Sequence, residues 1–191
     1  LKAAELSTRK AIELNPNIAE AHYNLGNILK DLGKLEKAEL STRKAIELKP
    51  DYAVSHLNLG TILTGLGKSK EAESSCRKAI EIKPDYAEAH LTLGTVLTDL
   101  DKSQEAESSY RKAIEIKPDY AEAHLNLGNS FRNLGNLKEA ELSTRKAIEI
   151  KPDYANANYN LGIILKDLGR LREAEISNRK AIELKSNFAE A

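Results

Sequence analysis

Apolar residues are spaced along this chain as they are on one face of an α-helix. Leu25, Ile28 and Leu32 are separated by three and four residues, which is the spacing that keeps side chains on one helical face. After a glycine, a second series of the same kind runs over residues 35–48. The pattern therefore predicts pairs of helices joined by a short turn.

This pattern returns every 34 residues. The segment Ala-Ile-Glu-Ile-Lys-Pro-Asp-Tyr occurs at 79–86, 113–120 and 147–154, and Ser186 stands where a sixth proline would fall. Units this similar at a fixed period indicate a tandem array, in which stacked neighbours bury a continuous core. The five prolines, all 34 residues apart, are Pro16, Pro50, Pro84, Pro118 and Pro152.

The period divides residues 1–191 into one array without a second domain. Residues 1–16 are predicted to form the second helix of a truncated unit, and residues 187–191 to start a further unit. The sequence contains no methionine and opens inside a helical pattern, so we expect it to be a piece of a longer polypeptide. The five full units are predicted at 17–50, 51–84, 85–118, 119–152 and 153–186.

Turn residues mark the predicted helix ends. Each second helix ends at its proline, which cannot continue a helix. The first helix is predicted to begin at a capping box such as Asp85-x-x-Glu88, in which the Asp oxygen accepts from free backbone N–H groups. Asp101 replaces glycine at the turn of the third unit, and elsewhere a residue that tolerates positive φ ends the first helix. These turn glycines are Gly33, Gly67, Gly135 and Gly169.

The residues that the units share resemble the tetratricopeptide repeat family. In the first full unit they are His22, Leu25, Gly26, Ala38 and Pro50, and the same set returns in phase over essentially the whole chain. The resemblance implies an all-α fold, an α-solenoid in which antiparallel helix pairs stack into a right-handed superhelix. It also implies that small residues let the two helices of a pair approach closely, and that first helices line a concave inner groove.

Two positions differ from the family pattern. Histidine or asparagine stands on the first helix, and mostly small residues stand on the second, where bulky side chains are common in the family. We expect aromatic residues that follow each Pro-Asp or Ser-Asn pair to supply part of the missing volume by wedging between units. These residues are Tyr52, Tyr86, Tyr120, Tyr154 and Phe188.

Composition narrows the range of partners. The 29 lysines and arginines balance 29 acidic residues, so no net field attracts nucleic acid or an anionic membrane. No apolar run approaches the length of a membrane span. Cys76 is the single cysteine and fits a reducing compartment. We therefore expect a cytoplasmic protein that binds neither nucleic acid nor membranes.

Catalytic and metal-binding chemistry is not indicated. A catalytic site needs a unique local arrangement, whereas every carboxylate here belongs to a periodic row. Four histidines recur at one position, but equivalent residues in adjacent units are at least about 8–10 Å apart, too far to share a zinc ion. We expect no enzyme activity, no cofactor and no metal site. The four residues are His22, His56, His90 and His124.

A charged row follows the second helices. Glu39, Arg43 and Glu47 are four residues apart, and the same trio recurs in every full unit. Such spacing predicts a solvated helix face in which each pair contributes about 0.2–0.5 kcal/mol.

A polar row on the first helices is the candidate binding surface. Asparagine precedes the Leu-Gly pair in four full units and threonine precedes it in the third. Amides in a row can hold an extended peptide by its backbone, and this row resembles the asparagine ladder in the repeat region of O-linked N-acetylglucosamine transferase. The alternative, that the amides bond only to neighbouring backbone, remains open. The predicted contact residues on the concave face are Tyr23, Asn24, Asn27, Leu57, Asn58, Thr61, Leu91, Thr92, Thr95, Leu125, Asn126, Asn129, Tyr159 and Asn160.

Three functions are compatible with this sequence. The resemblance implies a scaffold that binds a protein or peptide along first helices that are folded before the ligand arrives. A second hypothesis is the substrate-recruiting arm of a larger glycosyl- or sulfotransferase. A third is a structural module that associates end to end through terminal helices that lack a polar cap.

Overall fold

The computed structural model describes the backbone of residues 1–189 and the side chains of residues 1–185. Within that range the chain is all α-helical, as predicted, and none of the helices is both long enough and apolar enough to cross a membrane. The eleven helices are α1 (Lys2–Leu14), α2 (Ala19–Asp31), α3 (Leu35–Leu48), α4 (Ala53–Gly65), α5 (Ser69–Ile82), α6 (Ala87–Asp99), α7 (Ser103–Ile116), α8 (Ala121–Asn133), α9 (Leu137–Ile150), α10 (Ala155–Asp167) and α11 (Leu171–Ala189).

The helices form two compact units, Leu1–Asp101 with α1–α6 and a second unit that begins at Lys102 with α7–α11. In the first unit α2 pairs with α3 and α4 with α5, and in the second α8 pairs with α9 and α10 with α11. Each first helix also packs on the second helix before it, as α4 does on α3 and α10 on α9. First helices touch each other as well, at α2–α4, α4–α6 and α8–α10.

The segment 187–191, predicted to start a further repeat, lies mostly outside the described residues. Where its backbone is described, at 187–189, the chain continues α11. Ser186 lacks the proline ring that ends the other second helices, so nothing at that position blocks the helix. The start of a further repeat stays a prediction.

Glycine closes the turn inside four of the five full repeats. Gly33 has a φ of 71° and its N–H donates to the Lys30 carbonyl at 2.8 Å, while the Lys34 N–H donates to the Leu29 carbonyl at 2.9 Å. These bonds satisfy the last carbonyls of α2. Gly67, Gly135 and Gly169 also have positive φ, which confirms the predicted turns.

The predicted capping box is wrong. The residue that caps α6 is Tyr86, and no side chain accepts a hydrogen bond from the first turn. Asp85 lies one residue too early, because the Pro-Asp-Tyr segment forms the turn itself. The Tyr86 N–H donates to the Lys83 carbonyl at 3.2 Å, and the Ala89 N–H donates to the Tyr86 carbonyl at 3.0 Å. Backbone carbonyls therefore accept the hydrogen bonds that the sequence pattern assigned to the Asp85 side chain.

Histidine ties this turn to the first helix. The Nε2 atom of His22 lies 2.8 Å from the Pro16 carbonyl oxygen, across the turn between repeats. In the fifth full repeat, Asn158 instead donates to the Tyr154 carbonyl at 3.1 Å. The ring therefore has a structural task that the sequence did not reveal. The equivalent contacts are His56–Pro50 at 2.8 Å, His90–Pro84 at 2.9 Å and His124–Pro118 at 3.0 Å.

Small residues let the helices of a pair approach closely, as the family resemblance implied. A Cβ placed on Gly60 would lie 2.6 Å from the sulfur of Cys76, so any larger residue would force the pair apart. Thr42 occupies the same position against Gly26. Thr42, Cys76 and Ala38 are fully buried, which shows that modest side chains fill this space when a glycine faces them.

The single thiol belongs to this close contact. Burial raises the pKa of the Cys76 thiol from 9.0 to about 12. Because the thiolate is the reactive form, the folded protein keeps this cysteine inert at neutral pH.

Aromatic residues fill space between repeats, as predicted. Tyr154 packs on a cluster drawn from the repeats on both sides of it, and the ring of Tyr52 meets that of Tyr23 edge-on at 5.5 Å. The wedge is therefore confirmed at these two tyrosines, while the side chain of Phe188 lies outside the described residues. The cluster under Tyr154 comprises Leu125, Ala147 and Ala157.

The charged row on the second helices forms ion pairs between repeats as well as within one helix. Arg43 donates to Glu39 at 2.9 Å as predicted, but Glu47 pairs with Lys44 at 2.7 Å. Glu39 also accepts from Lys68 of the next repeat at 2.8 Å, and this bond lowers the pKa of the Glu39 carboxyl. The carboxylate therefore links two repeats. Equivalent links are Glu5–Lys34 at 2.8 Å and Glu141–Arg170 at 2.7 Å.

The left-handed turn residue of the third repeat generates a stability prediction. Asp101 has a φ of 59°, a conformation that costs a residue with a Cβ roughly 1 kcal/mol relative to glycine. Asp101→Gly is therefore expected to raise the free energy of unfolding by about 0.5–1 kcal/mol, measured by urea denaturation followed by helical circular dichroism.

The matched control for this substitution is Gly67→Asp. Nothing lies within 4 Å of a Cβ at Gly67, so the substitution tests backbone strain alone and should lower stability by a similar amount. An Asp101→Gly protein that is no more stable than the parent would contradict the assignment of strain.

A buried hydroxyl generates a second prediction. Ser55 is fully buried and its Oγ has no hydrogen-bond partner among the described residues. Ser55→Ala should stabilise the protein by about 1 kcal/mol because it removes the desolvation cost. Differential scanning calorimetry would show this as a higher Tm. The equivalent positions already hold alanine, at Ala21, Ala89, Ala123 and Ala157.

Ser75→Ala serves as the control for the same chemical change. The Ser75 hydroxyl donates to the Glu71 carbonyl at 3.0 Å, so its removal should not stabilise. Equal Tm shifts in the two variants would show that the missing partner of Ser55 has no energetic effect.

Candidate binding surface on the first helices

In the first unit the predicted contact residues lie on α2, α4 and α6. Asn24 and Thr61 are exposed. Asn58 and Leu91 are only 5% and 6% exposed, so they belong to the interior. The remaining residues are half-buried and form the floor of the surface; they are Tyr23, Asn27, Leu57, Thr92 and Thr95.

The side-chain amide of Asn58 forms its hydrogen bonds within the protein. Its amide nitrogen donates to the Thr42 hydroxyl at 3.3 Å, and its amide oxygen accepts from the Lys30 ammonium at 3.1 Å. Lys30 also reaches the Asn27 oxygen at 3.4 Å. At this position the amide therefore connects α4 to α2 and α3, which is a role in holding repeats together.

Asn24 differs from Asn58 at the equivalent position. It is exposed, and its side chain makes no hydrogen bond to a described residue. The hydroxyls of Thr61 and Thr95 donate into their own helix, to the Leu57 and Leu91 carbonyls at 3.1 and 3.2 Å. Their oxygens can still accept. This part of the surface therefore offers a ligand the side-chain amide of Asn24, with its donors and acceptor free, and the hydroxyl oxygens of Thr61 and Thr95 as acceptors.

In the second unit the predicted residues lie on α8 and α10. Tyr159 is 55% exposed, whereas Leu125 is 4% exposed. Asn160 donates to the Asn129 oxygen at 2.8 Å and so joins the two first helices. Asn126 is half-buried and makes no side-chain hydrogen bond to a described residue, so it is the available amide of this unit.

Tyrosine side chains cover some of the predicted contact residues, including Leu125. Tyr154, from the turn that follows, packs on Leu125, and Tyr52 packs on Tyr23 in the same way. At Leu125 and Tyr23 the side chain is therefore covered by the turn that follows. Leu125 and Leu91 contribute to the core, and they offer a ligand no exposed side chain.

Carboxylates border the surface of the first unit. Asp31, Glu88 and Asp99 are exposed and make no ion pair with a described residue. Glu20 is paired with Lys49 at 3.3 Å; its own backbone N–H, and then this lysine, lower the pKa of its carboxyl. The free groups give this surface a negative border.

Open clefts lie between successive second helices, and the sequence pattern did not predict them. One, of about 480 Å³, lies between α3 and α5 and is lined by Arg43, Ile46, His56 and Leu59, among others. A cleft of about 550 Å³ lies between α9 and α11 at equivalent positions. The signal in the sequence was the Arg-x-x-Ile pair at each repeat, which looks like ordinary helix patterning. Every charged side chain at the first cleft has an ion-pair partner, so we favour the first helices as the binding surface.

Models of known protein families match successive segments of the chain, and all of them describe the same type of repeat. Family models described as tetratricopeptide repeat match residues 19–52, 53–86, 121–154 and 144–176. A model described as TPR repeat matches residues 94–135. No curated protein sequence matches significantly.

Solved structures give the same answer for the fold. A crystal structure of MamA is 26% identical, with a TM-score of 0.76 over 87% of this chain and 98% of that chain. The structure of YrrB, described as a TPR protein with an unusual peptide-binding site, is 28% identical, with a TM-score of 0.71 over 94% of this chain and 92% of that chain. A thermophilic TPR protein of Thermus thermophilus is 22% identical, with a TM-score of 0.74 over 90% of this chain and 97% of that chain, and shows the fold alone.

The family models, the 34-residue period and the glycine-mediated helix pairs agree at every repeat that they cover. The repeats are those of an α-solenoid, as the sequence predicted. This chain belongs to the tetratricopeptide repeat family.

Proposed function

We propose that this protein is an interaction scaffold that binds an extended segment of another protein on its first helices. The observation that carries the proposal is the pair of available amides, Asn24 in the first unit and Asn126 in the second. Each lies on a helix that is already folded, so little ordering is needed on the scaffold side. The peptide-binding site named for YrrB supports this class of function.

The chemistry of the surface favours recognition of backbone. A side-chain amide supplies two N–H donors and a carbonyl acceptor, which match the groups of an extended peptide. Thr61 and Thr95 add acceptors for peptide N–H groups. Because Asp31, Glu88 and Asp99 carry unpaired charge, a neutral or basic segment should bind the first unit better than an acidic one.

We propose no catalytic step, cofactor or metal for these repeats. We also propose a cytoplasmic setting, since the single cysteine, Cys76, fits a reducing compartment. Recruitment of a substrate for a larger glycosyl- or sulfotransferase is a hypothesis about neighbouring sequence, and the sequence of the parent gene tests it.

Self-assembly is a second candidate function, favoured by exposed apolar side chains on α1 and α11. No residue of α1 is buried, and on α11 Leu171 and Ile182 are 65% and 67% exposed. Both helices therefore present apolar surface to solvent.

The binding proposal predicts that loss of the free amides weakens peptide binding. A random 12-residue peptide library would be selected on the parent protein, and the selected peptides measured by fluorescence anisotropy. A variant with Asn24→Ala and Asn126→Ala, one change in each unit, should bind a peptide that contacts one of these amides about fivefold more weakly, since a lost hydrogen bond contributes about 1 kcal/mol.

Asn136→Ala provides the matched control. Asn136 is exposed before α9, and its side chain does not cap that helix, so binding should match that of the parent protein. Equal affinity of the double variant and this control would contradict the proposal, as would a selection that yields no peptide.

A further inference from the structure

A buried hydroxyl in the second unit lacks the hydrogen bond that its equivalent in the first unit makes. Thr144 is fully buried on α9, and its Oγ1 atom has no hydrogen-bond partner among the described residues. The equivalent Thr42 hydroxyl is just as buried, but it accepts from the Asn58 amide at 3.3 Å. Because an unpaired buried hydroxyl carries a desolvation cost, a donor that reached Thr144 would stabilise the second unit.

The amide that could supply this donor is bonded elsewhere. By the 34-residue period Asn160 corresponds to Asn58, and α10 packs on α9 as α4 packs on α3. The Asn160 amide nitrogen, however, donates to the Asn129 oxygen on α8 at 2.8 Å. By equivalence with Asn58, the Thr144 hydroxyl is a second acceptor within reach of Asn160.

A difference in charge between the units explains why the two amides point differently. In the first unit the Lys30 ammonium donates to the Asn58 oxygen at 3.1 Å and so orients that amide. Arg132 replaces Lys30 in the second unit, but its Nε atom donates to Asp167 at 2.7 Å. Gly65 holds the position of Asp167 in the first unit, so Lys30 meets no such carboxylate. Among the described residues, no cation holds the amide of the second unit in one orientation.

The present bond of Asn160 uses a group that a peptide could use. Asn126 and Asn129 are three residues apart on α8, a spacing that places their side chains next to each other, with about 5–6 Å between Cβ atoms. Both are half-buried. Asn126 makes no side-chain hydrogen bond to a described residue, whereas the Asn129 oxygen accepts from Asn160. Release of that oxygen would give the second unit two neighbouring amides that can both accept from a ligand.

We propose that a bound peptide takes the Asn129 oxygen and that the Asn160 amide then turns to the Thr144 hydroxyl. This inference rests on the peptide-binding function proposed above and specifies which groups of the second unit take part. Asn160 exchanges one hydrogen bond for another, and Thr144 gains its missing donor. The ligand is an extended segment, since its backbone presents N–H and C=O groups to the two amides.

Substitutions at Thr144 test the exchange, because this residue is fully buried and does not touch a ligand. Peptides would be selected on the parent protein, and those that Asn126→Ala weakens would be kept as ligands of the second unit. Thr144→Val keeps the shape of the side chain but removes the acceptor for Asn160. These peptides should therefore bind about fivefold more weakly, as expected for the loss of one hydrogen bond, measured by fluorescence anisotropy.

Thr144→Ser is the matched control. It keeps the hydroxyl and removes only a methyl group, so its peptide affinity should match that of the parent protein. The Tm of Thr144→Val should stay near that of the parent protein, since the hydroxyl that it removes is unpaired in the free protein; this separates loss of binding from loss of fold. Equal loss of affinity in the two variants would show that Thr144 acts through packing, and the exchange would then be wrong.

A crystal structure of the Asn129→Ala variant tests the exchange without a ligand. Because the present acceptor of Asn160 is removed, its amide should lie on the Thr144 hydroxyl, at about the 3.3 Å that separates Asn58 from Thr42 in the first unit. An Asn160 amide that points into solvent or bonds to another group would overturn the inference.

The outcomes distinguish this inference from the proposed function. A selection that yields no peptide sensitive to Asn126→Ala contradicts peptide binding by the second unit, and the crystal structure still decides whether Asn160 can turn. Peptides that depend on Asn126 but bind the Thr144→Val variant as tightly as the parent protein contradict the exchange alone.

Discussion

Each repeat depends on its neighbour to close its core, because two short helices cannot cover their own apolar surface. Ile148 shows this directly: on α9 it packs both against the cluster of Leu125 and against that of Leu161 and Leu165 in the following repeat. The His22–Pro16 and Glu39–Lys68 contacts then fix the orientation in which neighbours meet. Stability in such an array resides between repeats as much as within them.

The contacts between neighbouring repeats also determine which polar groups remain available to a ligand. Asn58 and Asn160 occupy the position singled out for peptide binding, yet both bond to the preceding repeat. Asn24 and Asn126 are left available. At Asn58 and Asn160 the amides bond to side chains and not to neighbouring backbone, and at Asn24 and Asn126 peptide binding stays a prediction. A surface made of near-identical repeats is therefore chemically uneven.

The period predicted the helices and the glycine turns, because these follow from local rules about φ and spacing. The close helix pairs were implied by the family resemblance. Burial of Leu125 depends on Tyr154, which comes from another turn, and no local pattern contains that contact. The capping box at Asp85 failed for a related reason: the pattern fitted, but a shift of one residue left the cap to backbone groups. The histidine contact with proline spans six residues and crosses the boundary between units, where periodic reasoning treats each unit alone.

The carboxylates that bridge repeats make the contacts between repeats depend on pH. Lys68 lowers the pKa of Glu39, and Lys34 and then Arg9 lower that of Glu5. A group whose pKa falls on folding stabilises the folded state above its unfolded value and loses that contribution as pH falls through the folded value. Protonation would neutralise the anions at these seams while leaving lysine and arginine charged. Acidification to below the ordinary pKa of glutamate should therefore loosen neighbouring repeats from one another before it melts the helices themselves.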